Sequence, residues 1–120
     1  MHCTSFFIGV KNVKTVSRYS GSKLTVQLMG ELDHHCAKSA TEEICEDIDS
    51  LLPGEICIDM RHLSFMDSSG IALIIRINRR ITENGGRMFI ENPRQQPYRV
   101  MEAAGLLRLI EVRSGGEVTT

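Results

Sequence analysis

The sequence predicts a single α/β domain built on a mixed sheet of about five strands with alternating helices. Three observations carry that prediction. Short apolar runs, such as the one inside Glu55-Ile56-Cys57-Ile58-Asp59-Met60, read as buried strands. Longer amphipathic stretches separate them, and in one of these Gly70, Ile74, Ile77 and Ile81 fall four, three and four residues apart, along one side of a helix. Strands separated by single helices imply parallel pairing through right-handed crossovers. The region before residue 30 is instead alternating and β-rich with a Ser20-Gly21-Ser22 turn inside it, which implies an antiparallel pair.

Taken in order, Met1 to Ser5 is expected to fray, and residues 6–16 and 23–29 form the antiparallel pair. Gly30-Glu31-Leu32-Asp33 leaves the second strand. Asp33 is a candidate N-cap for a helix from about His34 to Leu52, with Ala37, Ala40, Ile44, Ile48 and Leu51 as its buried stripe. Pro53-Gly54 ends that helix, and a strand over 55–60 comes next. After a serine-containing loop, a helix over 69–84 stops at Gly85-Gly86, and Arg87 to Ile90 is another short strand. Pro93 and Pro97 open a third helix near Gln95 to Ala104, because proline suits a first helical turn but not an interior. Gly105 terminates it, and 107–112 reads as the last strand. Residues 114–120 are glycine-rich and expected to fray. With neither an internal repeat nor a linker, 1–120 reads as one domain.

Composition narrows the function classes. A chain of 120 residues can bury roughly 65% of the surface its unfolded form exposes, so it needs no staples. Its 14 basic and 15 acidic side chains leave a net charge of −1 without blocks of one sign, which argues against nonspecific nucleic-acid binding and for protein partners. Of the four cysteines, Cys45 and Cys57 fall in apolar positions, and no metal-ligand spacing occurs; reduced cysteines in a cytoplasmic protein are expected. The longest apolar run, Ile71 to Ile75, is far short of a membrane span, and Met1-His2-Cys3-Thr4 does not begin a signal peptide.

The stretch with chemistry is Leu63-Ser64-Phe65-Met66-Asp67-Ser68-Ser69-Gly70, two serines where a strand ends and a helix begins. Asp67 or Ser68 can cap the free amides of that helix, and a helix N-terminus tolerates an added phosphate. From chemistry alone Ser68 and Ser69 are equivalent candidates. Ser64 is less attractive, since Leu63, Phe65 and Met66 around it read as packed. Gly70 is expected to allow close packing of the helix start or close approach of a partner, so that Gly70→Val weakens partner binding more than stability. His34 and His35, as neighbours pointing apart, do not suggest a metal site. A serine hydrolase elbow, a phosphate-binding loop and a dinucleotide fingerprint are all absent, so neither an enzyme nor a cofactor is expected.

The octet also resembles the phosphorylation segment of bacterial anti-sigma factor antagonists, which are STAS domains. Gly30-Glu31-Leu32-Asp33-His34-His35 resembles the second signature of the same family, in its sporulation branch, and the resemblance runs through Gly85-Gly86 to Ala104-Gly105-Leu106, roughly residues 22–112. It implies a STAS-like fold, here with the family's C-terminal helix short or absent. It assigns the phosphoryl acceptor to Ser68, with Asp67, Ser69, Gly70, Asp33 and His34 around the phosphosite and partner contact. It further implies a non-enzymatic switch, monomeric when free. The unphosphorylated form would bind an anti-sigma factor that is also a serine kinase, releasing its sigma factor; phosphorylation would end binding, and a phosphatase would reset it. The alternative is a STAS scaffold that binds another protein without being phosphorylated, with a small serine hydrolase as a distant third. In a sheet of this order the loop after the second strand lies on the same rim as the loop after the strand over 55–60, which is expected to bring Asp33 near Ser68. Asp59, at the end of its strand, is expected near the same rim.

Overall fold

The structure is a computed structural model that describes residues 2–5 and 13–114. Among these, seven strands form one mixed sheet: β1 (His2–Ser5), β2 (Val13–Ser20), β3 (Lys23–Leu32), β4 (Glu55–Asp59), β5 (Leu63–Met66), β6 (Arg87–Glu91) and β7 (Glu111–Arg113). The helices are α1 (Ala37–Leu51), α2 (Ser68–Glu83) and α3 (Gln95–Ala103). The sheet order is β1-β2-β3-β4-β6-β7, with β5 attached to β3 alone. β1–β2 and β2–β3 are antiparallel and every later pairing is parallel. The mixed α/β architecture is therefore the expected one.

Several details differ from expectation. His2–Ser5 does not fray; it pairs with Val16 to Tyr19 of β2. Of the first expected strand, residues 6–12 lie outside the described residues. β5 is an addition that raises the strand count, because its four residues carry no run long enough to read as a strand. The chain after α3 makes a 3-10 turn over Leu106–Arg108 and only then a strand, three residues long, rather than a strand over 107–112. Gly105 at φ 76° turns the chain out of α3 as expected. Residues 115–120, and with them the expectations of a frayed tail and a missing helix, also lie outside the described residues.

Period-two alternation builds the core. Leu24, Val26 and Leu28 of β3, Ile56 and Ile58 of β4, and Met88 and Ile90 of β6 are buried in one cluster with Ala40, Ile44 and Ile48 of α1 and Leu73, Ile74, Ile77 and Ile81 of α2. The stripe expected on α1 is found, except that Leu51 is only half-buried and Thr41 and Cys45 join it. The alternate residues Cys57 and Phe89 lie outside that cluster yet are 1% exposed. Arg113 lies 3.6 Å and Lys23 5.3 Å from the Phe89 ring centroid, so long cationic side chains cover this part of the sheet. Burial, reinforced by the nearby Glu91 carboxylate, pushes the Cys57 thiol up to about 12, and it behaves as a small apolar residue.

Candidate functional site

The site forms where β3 changes partner. β3 runs beside β4 over Lys23 to Gln27, and after a register irregularity at Gly30/Glu31 its last residues run beside β5, with Leu32 opposite Met66. The Asp67 N–H continues that ladder by donating to the Leu32 carbonyl at 3.2 Å. Asp33 and Asp67 therefore leave adjacent parallel strands at the same level, and neighbouring strands lie about 4.8 Å apart. The rim that brings Asp33 toward the serine turn is made by β5, not by β4. Asp59 is not on it: β4 ends with Asp59 opposite Gln27, five residues before Leu32, or about 17 Å along the strand. There Asp59 Oδ1 accepts from the Arg61 N–H at 3.0 Å.

Asp33 does not cap α1. Its Oδ1 accepts from the His35 N–H at 3.0 Å, and its carbonyl accepts from Cys36 at 3.2 Å and Ala37 at 3.0 Å. This builds a turn over residues 34–36, so α1 begins three residues later than expected, with Cys36 at the cap position and no side-chain cap. Partial desolvation raises the Asp33 carboxyl. The hydrogen bonds from the His35 amide and the Cys36 thiol outweigh it and leave the carboxyl below the ordinary aspartate value. His34 and His35 do not diverge either: both are exposed, and their ring centroids lie 4.0 Å apart at 36°. Among the described residues no cluster of His, Cys, Asp or Glu could hold a metal ion.

Asp67 is the N-cap of α2. Its backbone is extended, and its Oδ1 accepts from the Ser69 N–H at 2.8 Å. Ser68 is thereby the first helical residue, and it is exposed; Ser69 is half-buried. Ser69 also lines a shallow groove between α1 and α2, together with His34, Ala37, Lys38, Leu73 and Arg76. Ser64 is exposed, but its hydroxyl donates to the Gly30 carbonyl at 3.0 Å. Phe65 beside it is 39% exposed rather than packed. Gly70 is buried, and what crowds it is internal: an added Cβ would sit 2.8 Å from Met66 Sδ and 3.2 Å from Leu32 Cδ2.

Gln96 was not legible as part of this site. Its carboxamide bonds both main-chain polar groups of Met66, at 2.9 and 3.0 Å, from thirty residues away in the chain. No local pattern announces such a contact.

Because Asp67 caps α2 through a carboxylate oxygen, Asp67→Ala is expected to cost about 1 kcal/mol, whereas Asp67→Asn keeps an acceptor and should cost less than half of that. Urea denaturation of both variants checks this; equal midpoints would show that the cap contributes nothing.

A sequence profile of the STAS domain matches residues 12–116. The anti-sigma F factor antagonist of Paenibacillus polymyxa is 28% identical over 101 residues, which cover 84% of this chain and 86% of that protein. Among solved structures, the anti-sigma factor antagonist SpoIIAA in its unphosphorylated form superposes with a TM-score of 0.74 at 26% identity, covering 84% of this chain and 89% of that one. The phosphorylated form of the Bacillus cell fate determinant SpoIIAA gives 0.66 at 26% identity, covering 84% and 92%.

Proposed function

The chain belongs to the STAS domain family, and from that premise we propose that it is an anti-sigma factor antagonist of the sporulation type, switched by phosphorylation of Ser68. Its unphosphorylated form binds an anti-sigma factor that is also a serine kinase and so releases the sigma factor. Transfer of one phosphate to Ser68 ends that binding, and a phosphatase restores it. The protein acts in the cytoplasm as substrate and ligand, not as an enzyme. Similarity to the anti-sigma F factor antagonist of Paenibacillus polymyxa and to SpoIIAA supports the antagonist role. No helix among the described residues is long and apolar enough to cross a membrane.

The observation that carries the choice of serine is exposure. Ser68 stands at the first position of α2 and is open to solvent, while Ser69 is half-buried and its N–H is held by Asp67. Ser64 is exposed as well, but its hydroxyl is bound to the Gly30 carbonyl. A kinase needs the acceptor oxygen within reach of a bound nucleotide. Asp33, Asp67, Ser69 and His34 form the partner contact around the serine turn, while Gly70 is buried beneath it against Met66 and Leu32.

Incubation with ATP and an anti-sigma F factor of serine kinase activity, then intact mass and peptide mapping, tests this. One phosphate on Ser68 is expected, and Ser68→Ala should take none while keeping its circular dichroism spectrum. Mapping of the phosphate to Ser69 or Ser64 would refute the assignment. Tight binding without any phosphorylation would leave a scaffold in place of a switch.

A further inference from the structure

The peptide unit just ahead of Asp67 is fastened at both ends. Its N–H donates to the Leu32 carbonyl across the β3–β5 ladder at 3.2 Å. Its carbonyl, that of Met66, accepts from Gln96 Nε2 at 3.0 Å. The Met66 N–H, which points to the same side as that carbonyl, donates to Gln96 Oε1 at 2.9 Å. Among the described residues β5 has a strand on one side only, and the Gln96 carboxamide supplies one acceptor and one donor to the other side. It completes the edge as a strand one residue long. The opposite orientation of the amide would set donor against donor and acceptor against acceptor, so only this one serves both groups. Gln96 is half-buried in the first turn of α3, and the buried Pro97 beside it fixes the backbone there.

Immediately after Met66 the chain reaches the cap Asp67 and then Ser68. The plane of the Met66–Asp67 peptide sets where Asp67 starts, and hence whether its carboxylate reaches the Ser69 N–H and where the Ser68 hydroxyl stands. We propose that Gln96 is a positioning residue for the serine turn: with Leu32 it clamps the Met66–Asp67 peptide, and so presents the Ser68 hydroxyl in one geometry. The effect on phosphoryl transfer rests on the reading of Ser68 as the acceptor. The ordering of the turn rests on the hydrogen bonds alone.

Two variants of the full chain test this. Gln96→Leu removes both bonds at similar volume. Gln96→Glu keeps the acceptor but loses the donor while ionised, and regains it on protonation, with a pKa raised above the ordinary value near 4.3 by the facing Met66 carbonyl. Amide hydrogen exchange, normalised to intrinsic rates, should show protection at Met66 and Ser69 falling about tenfold in Gln96→Leu, with Ile58 in β4 unchanged. Gln96→Glu, which keeps the acceptor for the Met66 N–H but not the donor to its carbonyl, should lose protection at Ser69 at pH 8 with a smaller loss at Met66, and should recover toward wild type as the pH is lowered and the carboxyl is protonated. In phosphorylation by the ATP-dependent anti-sigma factor kinase, Gln96→Leu should lower kcat about tenfold with KM within about threefold, since a misplaced nucleophile affects the chemical step more than docking.

Unchanged protection at Met66 and Ser69 in Gln96→Leu would overturn the proposal. So would lost protection with an unchanged kcat, or a Glu variant that never recovers as pH falls. If Gln96→Leu does not fold, the pH titration of Gln96→Glu decides alone. If the wild-type chain takes no phosphate, the reading of Ser68 fails, and the exchange data still decide whether Gln96 orders the turn.

Discussion

Phosphorylation of Ser68 is expected to weaken binding to the anti-sigma factor roughly 100-fold, a loss of about 2.7 kcal/mol, while the free domain keeps its fold. The phosphate adds roughly −1.5 to −2 charges at neutral pH. Two effects within the free domain oppose each other. Ser68 opens α2, and a helix N-terminus favours negative charge by about 0.3–1 kcal/mol. The Asp67 carboxylate next to it disfavours the charge, and two unit charges about 6 Å apart in a medium of dielectric constant near 50 repel by about 1 kcal/mol. The terms nearly cancel, and Ser68 is exposed, so the phosphate stays hydrated and the melting temperature should move by only a few degrees. A partner covering the turn has no such compensation, because it must desolvate the new charge where it formerly met a hydroxyl. Calorimetric titration of wild type, Ser68→Ala, Ser68→Asp and the phosphoprotein against the kinase partner should rank the first two tightest and the phosphoprotein weakest. Ser68→Asp carries one charge on a shorter side chain and should fall between. Equal affinities before and after phosphorylation, or a free domain that melts early once phosphorylated, would contradict a local electrostatic switch.

Gly70→Val is expected to be the most damaging substitution in the serine turn, and through stability rather than through the partner. The added Cβ would lie 2.8 Å from Met66 Sδ, 3.1 Å from Met66 Cβ and 3.2 Å from Leu32 Cδ2. Met66 and Leu32 are both fully buried. The thioether can swing away, but the Met66 Cβ is anchored to β5 and Leu32 is enclosed in the core. Overpacking of this kind costs roughly 1–3 kcal/mol, and the two further methyl groups of valine press it toward the upper end. Valine recovers only about 0.4 kcal/mol over glycine in helix propensity. A net loss of about 2–3 kcal/mol should lower the melting temperature by roughly 10 °C. Gly70→Ala, with one methyl and a larger propensity gain, should lose about 1 kcal/mol or less. A Gly70→Val protein that melts within two degrees or so of wild type, but binds its partner poorly, would reinstate a role for Gly70 in partner approach.

The contrast at Gly70 shows where local pattern stops being informative. A glycine at the start of an amphipathic helix signals close approach, but not by what. Its neighbours Leu32 and Met66 meet it only because β5 lies on β3, and the four residues of β5 carry no alternation that announces a strand. The same holds for Asp33. Its position before a helical stripe suggests a cap, yet its carboxylate and carbonyl close a turn of their own and delay α1 to Ala37.

Helix and strand periods are properties of consecutive residues, so the alternation of elements, the buried stripes of α1 and α2, the antiparallel start and parallel remainder of the sheet, and the serine pair at a helix N-terminus can all be read from the chain before it folds. Those features arise from burying every second residue of a strand and one side of a helix. Tertiary structure alone decided which strand carries the rim, that Asp67 rather than Ser68 is the cap, that Asp59 lies about 17 Å away along the strand, and that Gln96 closes the edge of β5. Each of these depends on a hydrogen bond or a steric contact whose geometry exists only once the chain has folded back on itself, and a single bond to a backbone group leaves no periodic trace in sequence.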